Sequence, residues 1–301
     1  MLERFRQHLP LKSFTTLGIG GPATYFIEVH DTPTMQTLLP FCEEKHLPYF
    51  ILGKGSNSLF DDRGFSGLVI ANRILFLNRP EQDIWHVGAG YSFSLLGAQT
   101  ARQGWSGLEF ASGIPGSVGG AIFMNAGANG AESCQTLVSV DFVSPNGQLQ
   151  QLRREELDFG YRYSSFQAMK GAIVGASFRL SRSTEARHKQ LKIIEYRTKT
   201  QPYNAKSAGC VFRNPSLGHA GALIEQSGLK GKSIGDAEVS MLHANFLINK
   251  GNASAADMLK LVEHVRLEVK ARTGIELILE IHPIPFEYSG YYHARHSHVS
   301  S

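Results

Sequence analysis

The sequence predicts an α+β fold, and three observations carry that reading. Short β-type runs closed by Gly, Asp or Asn dominate the first two thirds of the 301 residues. Helical patches fall between them without a regular βαβ alternation, and the last third carries one long amphipathic helix.

In order, residues 24–29, 49–52, 67–70 and 84–87 read as strands, with helical patches at 34–46, kinked at Pro40, and at 94–103. Strands resume at 137–143, 149–152 and 173–180. Near residue 186 the composition turns polar and basic (EARHKQLKIIEYRTKTQP), which marks a new domain. A short helix at 220–227 and a strand at 245–248 lead to a helix over 255–272. There Ala255, Met258, Leu259, Val262, Val265 and Val269 form one stripe between a Ser254 cap and a Gly274 stop. A strand at 276–284 follows, then a tail expected to be unstructured, whose His293, His296 and His298 read as a solvated end. The expected division is 1–66, 67–185, 186–286 and a tail at 287–301.

Composition narrows the function classes. Apolar and charged fractions of 42% and 19% suit an ordinary globular protein. The 31 glycines exceed a typical ~7%, which implies tight turns or backbone in close approach to a ligand. Cys42, Cys134 and Cys210 are far apart and lack CxxC spacing, so reduced thiols in a cytoplasm are expected, and no metal site. MLERFRQHLPLK has mixed charge and no apolar core, so it does not read as a secretory signal, and no apolar run is long enough to span a membrane. A net charge of +4 without basic–aromatic patterning suits a small anionic ligand and gives no support to nucleic-acid binding.

Two glycine loops are the candidate ligand cradle. GKGSNSLF begins at Gly53, directly after an apolar run, and GIPGSVGGAIFMNAGANG spans 113–130. Backbone N–H groups freed by such turns make concave anion sites, suited to a diphosphate. GKGSNS lacks GxGxxG spacing, and GLKGKS at 228–233 fails as a P-loop because Gln226 stands where its first glycine belongs.

Read in order, FTTLGIGGPATYF, ILGKGSNSLF, GLEFASGIPGSVGGAIFMNAGANGAE, FGYRYSSF, SAGCVFRNP, GLKGKSIGDAEVSMLHANFLIN and ELILEIHPI resemble the UDP-N-acetylenolpyruvoylglucosamine reductase family, in its shorter form, over residues 10–285. The resemblance implies a two-part FAD-binding region of the vanillyl-alcohol-oxidase/PCMH type, followed by a smaller α+β substrate-binding domain. It implies FAD as cofactor, NADPH as co-substrate, a UDP-sugar enol ether as substrate and a monomer that needs no nucleic acid. Gly53, Lys54, Gly55, Ser56, Asn57 and Ser58, with Gly113, Pro115, Gly116, Ser117, Gly119 and Gly120, would hold the FAD diphosphate, and Asn125 and Gly127 would run beside the flavin.

By the same resemblance, Arg162 is the carboxylate clamp, Glu280 its partner or a second hydrogen-bond donor, and Cys210 the proton donor. Most of the family carries serine at the Cys210 position, and cysteine keeps the size and a transferable proton. Lys199, Gln201, Asn214 and His243 are the implied substrate contacts, with Asn245, Tyr161, Tyr163 and Tyr203 nearby. Read without the family, Cys210 would be a buried structural thiol, Arg162 a surface arginine in a turn and Glu280 an exposed strand residue. The rival readings are another flavoprotein of the same FAD-binding architecture, a catalytically impaired sugar-nucleotide binder, and a basic nucleic-acid module.

Overall fold

Runs rich in β-branched and aromatic residues near the start of the chain assemble into a four-stranded sheet in this computed structural model, which describes residues 2–288. Its strand order is Arg6–Pro10, Pro22–Val29, Phe65–Asn72, Tyr49–Leu52; the first pair is antiparallel and the others parallel. Helix α1 (Thr32–Glu44) starts where Asp31 accepts the Thr34 N–H at 2.7 Å, and it continues through Pro40. Met35, Leu38, Leu39 and Cys42 of α1 pack with Leu68 and Ile70, and with Val143 and Val174 of a second sheet. Burial pushes the Cys42 thiol up to about 12, the state of an inert core cysteine.

The second sheet is antiparallel throughout: Leu149–Arg153, Leu137–Val143, Ala172–Arg179, Ile84–Gly88, Leu77–Asn78. Its core takes Phe93 and Leu96 from α2 (Phe93–Arg102) and Val118 and Ile122 from α3 (Val118–Phe123). A further helix, α4 (Ala186–Thr200), packs on α2. The third sheet is Lys206–Cys210, Phe246–Asn249, Ala237–Val239, Ser233–Ile234, beside α5 (Ala220–Gln226) and α6 (Ala255–Thr273). In α6, Ser254 and Asp257 form a reciprocal cap and Gly274 ends the helix at φ 74°, as its sequence predicts. Burying Met258, Val262 and Val265 contributes roughly 1.5–3 kcal/mol each.

Several expectations are corrected. Leu261 lies in the buried face of α6, whereas Leu259 is 40% exposed. The 66/67 boundary cuts the strand Phe65–Asn72, which belongs wholly to the first sheet. The polar stretch after 185 is helical and packs on the second unit, so the third unit begins nearer 201. Of 276–284 only His282–Ile284 forms a strand, pairing in parallel with Ser58–Phe60 of the first unit. From the expected tail, Tyr288 packs against Phe50 and Phe65, while 289–301, with the three histidines, lie outside the described residues.

A second tie fixes the third unit to the first. The Asp62 carboxylate accepts the Ala255 and Ala256 N–H groups at 2.7 and 3.0 Å, satisfying donors that α6 leaves unpaired. Asp62→Ala is expected to cost about 1–2 kcal/mol, measured as a lower unfolding midpoint in urea, with Asp62→Asn recovering part.

Candidate active site

The three units enclose a cleft of about 850 Å³. Both glycine loops line it, the first leaving the strand Tyr49–Leu52 and the second following a short 3-10 turn at Glu109–Ala111. Gly55 has φ 63°, and a Cβ there would run into the Phe14 carbonyl. Within the second loop Ser117 caps α3, its Oγ accepting the Gly120 N–H at 3.3 Å. Gly53, Lys54, Gly55, Ser56, Asn57, Ser58, Gly113, Pro115, Gly116, Ser117, Gly119, Gly120 and Gly127 all face the cleft.

At one end the cleft meets Arg162, Cys210 and Glu280, which lie far apart in sequence. Arg162 occupies the two-residue turn between Phe159–Gly160 and Tyr163–Ser164 with φ 57°, a left-handed conformation that costs a non-glycine residue about 1–3 kcal/mol. Its Nε donates to Glu280 Oε1 at 2.6 Å and its Nη2 to the Gly127 carbonyl at 3.1 Å, so the fork has a fixed direction. Burial works against the Arg162 charge, and Glu280 more than offsets it, holding the group above its ordinary value. Burial also raises the Glu280 carboxyl, against the opposing pull of Arg162 and Arg213.

Glu280 reaches this point through backbone pairing. The Glu280 N–H donates to the Val211 carbonyl at 2.7 Å and the Arg213 N–H to the Ile278 carbonyl at 2.8 Å, which sets Glu280 beside the Cys210 loop. Asn57 Nδ2 donates to the Glu280 carbonyl at 3.2 Å, and the Asn57 carbonyl accepts the His282 N–H at 2.8 Å, tying the first glycine loop to this segment. Leu277 and Ile281 face the core while Glu280 faces the cleft, so the predicted alternation of side chains persists without a ladder.

Cys210 follows Gly209, whose φ of 76° marks a bulge against the strand Phe246–Asn249. The Asn245 side chain accepts the Phe212 N–H at 3.0 Å and donates to the Phe212 carbonyl at 2.8 Å, which fixes the backbone just after Cys210. Cys210 lines the cleft, and the surrounding protein desolvates it. That desolvation, with Glu280 alongside, pushes the thiol up to about 12 although Arg162 and Arg197 pull it down. The thiol therefore keeps its proton at neutral pH. The cations acting on it are Arg162 and Arg197.

Four other expected contacts lie outside the lining of this cleft. Asn125 is fully buried at φ 42° and does not line the cleft. Its amide donates to Glu132 and to the Gly160 carbonyl, both at 2.9 Å, and its oxygen accepts the Cys134 N–H, so it braces the Arg162 turn. Lys199 projects from α4 to solvent and pairs with Glu195 at 2.7 Å. Asn214 Oδ1 accepts the Ala220 N–H at the start of α5, and His243 Nδ1 accepts the Asn245 N–H; neither residue lines the cleft. Gln201 does, as does Tyr203, whose hydroxyl donates to the Gly113 carbonyl at 3.0 Å.

The residues present fit a dinucleotide such as FAD. Besides the two loops, the Thr16 and Tyr49 hydroxyls, the Gln167 Oε1 and the Arg197 Nε are buried in the cleft wall without partners. Buried polar atoms are rarely left unpaired, so these await a ligand's polar groups. Of these, only Thr16 falls in a motif that carries the family resemblance. Among the described residues no cluster could hold a metal ion, and no helix is long and apolar enough to cross a membrane.

Comparison with known proteins agrees with this geometry. Residues 23–153 match the FAD binding domain family, and residues 201–284 the UDP-N-acetylenolpyruvoylglucosamine reductase C-terminal domain family. The chain is 64% identical over 285 residues to UDP-N-acetylenolpyruvoylglucosamine reductase of Protochlamydia amoebophila (strain UWE25), covering 95% of each. It is 48% identical over 282 residues to that of Chlamydia muridarum (strain MoPn / Nigg), covering 94% of this chain and 95% of the relative. The crystal structure of UDP-N-acetylenolpyruvylglucosamine reductase from Thermus caldophilus aligns with a TM-score of 0.80 at 35% identity, over 93% of this chain and 100% of that one. A cleft lined by two glycine loops, closed at one end by Arg162, Glu280 and Cys210, thus stands in a chain that belongs to the UDP-N-acetylenolpyruvoylglucosamine reductase family.

Proposed function

We propose that the protein is an NADPH- and FAD-dependent reductase that converts UDP-N-acetylglucosamine enolpyruvate to UDP-N-acetylmuramate, a precursor of peptidoglycan. The observation that carries this reading is the convergence of Arg162, Glu280 and Cys210 at one end of the glycine-lined cleft. FAD, which the two glycine loops would hold, would supply the hydride chemistry, with NADPH as the hydride source and the vinyl carbon of the enol ether as the acceptor. Negative charge then develops on the adjacent carbon and its carboxylate. Arg162, aimed by Glu280 and the Gly127 carbonyl, stabilises that charge with donors already in place. Cys210, held protonated by burial, gives its proton to the same carbon, and Arg162 stabilises the thiolate left behind until solvent returns a proton.

Lys54, Gly55, Ser56 and Ser117 are read as cofactor contacts and Gln201 as a substrate contact, since each lines the cleft. The enzyme is read as a monomer. Three free cysteines suit a reducing cytoplasm. Purified protein is expected to be yellow and to oxidise NADPH only when the enolpyruvyl sugar nucleotide is present. A colourless protein that also fails to take up added FAD would overturn the reading.

A further inference from the structure

We infer that Arg197 is a ligand-binding residue whose guanidinium pairs with a diphosphate held in the cleft; this deepens the reading above and rests on it. Arg197 is in the last turn of α4 and only 7% exposed. Helical phase turns it inward while Lys199, two residues on, points to solvent. Its Nη2 reaches the Phe110 carbonyl at a long 3.4 Å, its Nε is buried with no partner, and no described carboxylate pairs with it. A guanidinium cannot shed its proton to relieve burial, so an unpaired one is costly unless an anion arrives.

The charge balance of the cleft identifies the anion. Lys54, Arg162, Lys170 and Arg197 are its lining cations, and Glu43 and Glu280 its lining carboxylates. Glu280 pairs with Arg162 at 2.6 Å and Glu43 with Lys170 at 3.8 Å, so Lys54 and Arg197 remain uncompensated. Burial, and then the charge of Arg73, lower the Lys54 ammonium, as expected of a cation short of a counter-charge. A diphosphate that links two alcohols carries one negative charge on each phosphorus, which matches the two open cations. Arg197 also stands beside the second glycine loop, its Cδ 3.1 Å from where a Gly113 Cβ would be, so amides and guanidinium border the same space. The planar fork suits two phosphate oxygens.

FAD and the UDP-sugar each carry such a diphosphate, and the experiment separates them. Wild-type, Arg197→Gln and Arg197→Met full-length proteins are stripped of flavin and titrated with FAD. The apparent KM for the UDP-sugar is then measured at saturating FAD. A loss of about 10- to 100-fold in FAD affinity supports the proposal with the cofactor as source. The same loss in KM, with FAD affinity unchanged, supports it with the substrate as source. Flavin-free variants are expected to melt no lower than flavin-free wild type, because an unpaired buried charge contributes nothing to that state. FAD affinity and KM both within twofold of wild type overturn the proposal, as does a flavin-free variant that melts far below wild type or fails to fold. Wild-type protein that binds no FAD would strike the reductase reading instead, and Arg197 would still be read by calorimetry with the UDP-sugar.

Discussion

Cys210→Ala is expected to slow product formation by about 10²–10⁴-fold while bound FAD still accepts hydride from NADPH at an undiminished rate. The two halves are separable by stopped-flow: bleaching of the flavin on NADPH addition, then its return to colour on addition of the enolpyruvyl sugar nucleotide. Only the second should slow, because the thiol acts after hydride has reached the substrate. Cys210→Ser should keep substantial turnover, since a hydroxyl of similar size also carries a proton. Burial holds the thiol near 12, so it remains the protonated form through neutral and mildly alkaline pH. Iodoacetamide at pH 8 should therefore spare it far longer than an unperturbed thiol. Normal product formation by the alanine variant would remove Cys210 from the mechanism and favour another proton source.

Arg162→Met should lower the rate of substrate reduction by about 10²–10³-fold, the usual cost of removing a donor aimed at developing charge. It should also destabilise the fold by about 3–5 kcal/mol, because Glu280 is left in the cleft without its partner at 2.6 Å. Methionine keeps the apolar stem but inherits the left-handed backbone at φ 57°, so no strain is relieved. The double variant Arg162→Met with Glu280→Gln separates the effects. Stability should partly return, measured by urea unfolding, while activity does not. Activity that recovered with stability would show that the arginine serves folding and not the reaction.

Much of the fold was legible because local patterns agreed with tertiary demands. The Ser254 cap, the Gly274 stop and most of the apolar stripe identified α6 nearly to its ends. The two glycine loops pointed to an anion cradle by their composition, and every glycine proposed there as a cofactor contact lines the cleft. Less legible were elements whose signal is weak or non-local. Helix α4 has a largely polar surface, so its periodicity hid both the helix and the inward turn of Arg197. Residues 276–281 have the alternation of a strand, yet their backbone pairs with 211–213 through an isolated bridge and not a ladder.

By itself the sequence determined an α+β chain with two glycine cradles, a capped C-terminal helix and, through its ordered motifs, the family. Which side chains meet was decided only by the tertiary structure. Arg162, Cys210 and Glu280 are brought together by a strained turn, a glycine bulge and backbone pairing across 118 residues of separation. The same assembly commits Asn125 to bracing a turn, sends Lys199 to solvent and leaves Arg197 at the cleft with no carboxylate partner among the described residues. The physical reason is that composition and spacing fix local conformation, whereas burial, the direction of a hydrogen bond and a neighbour's charge arise only when distant segments pack.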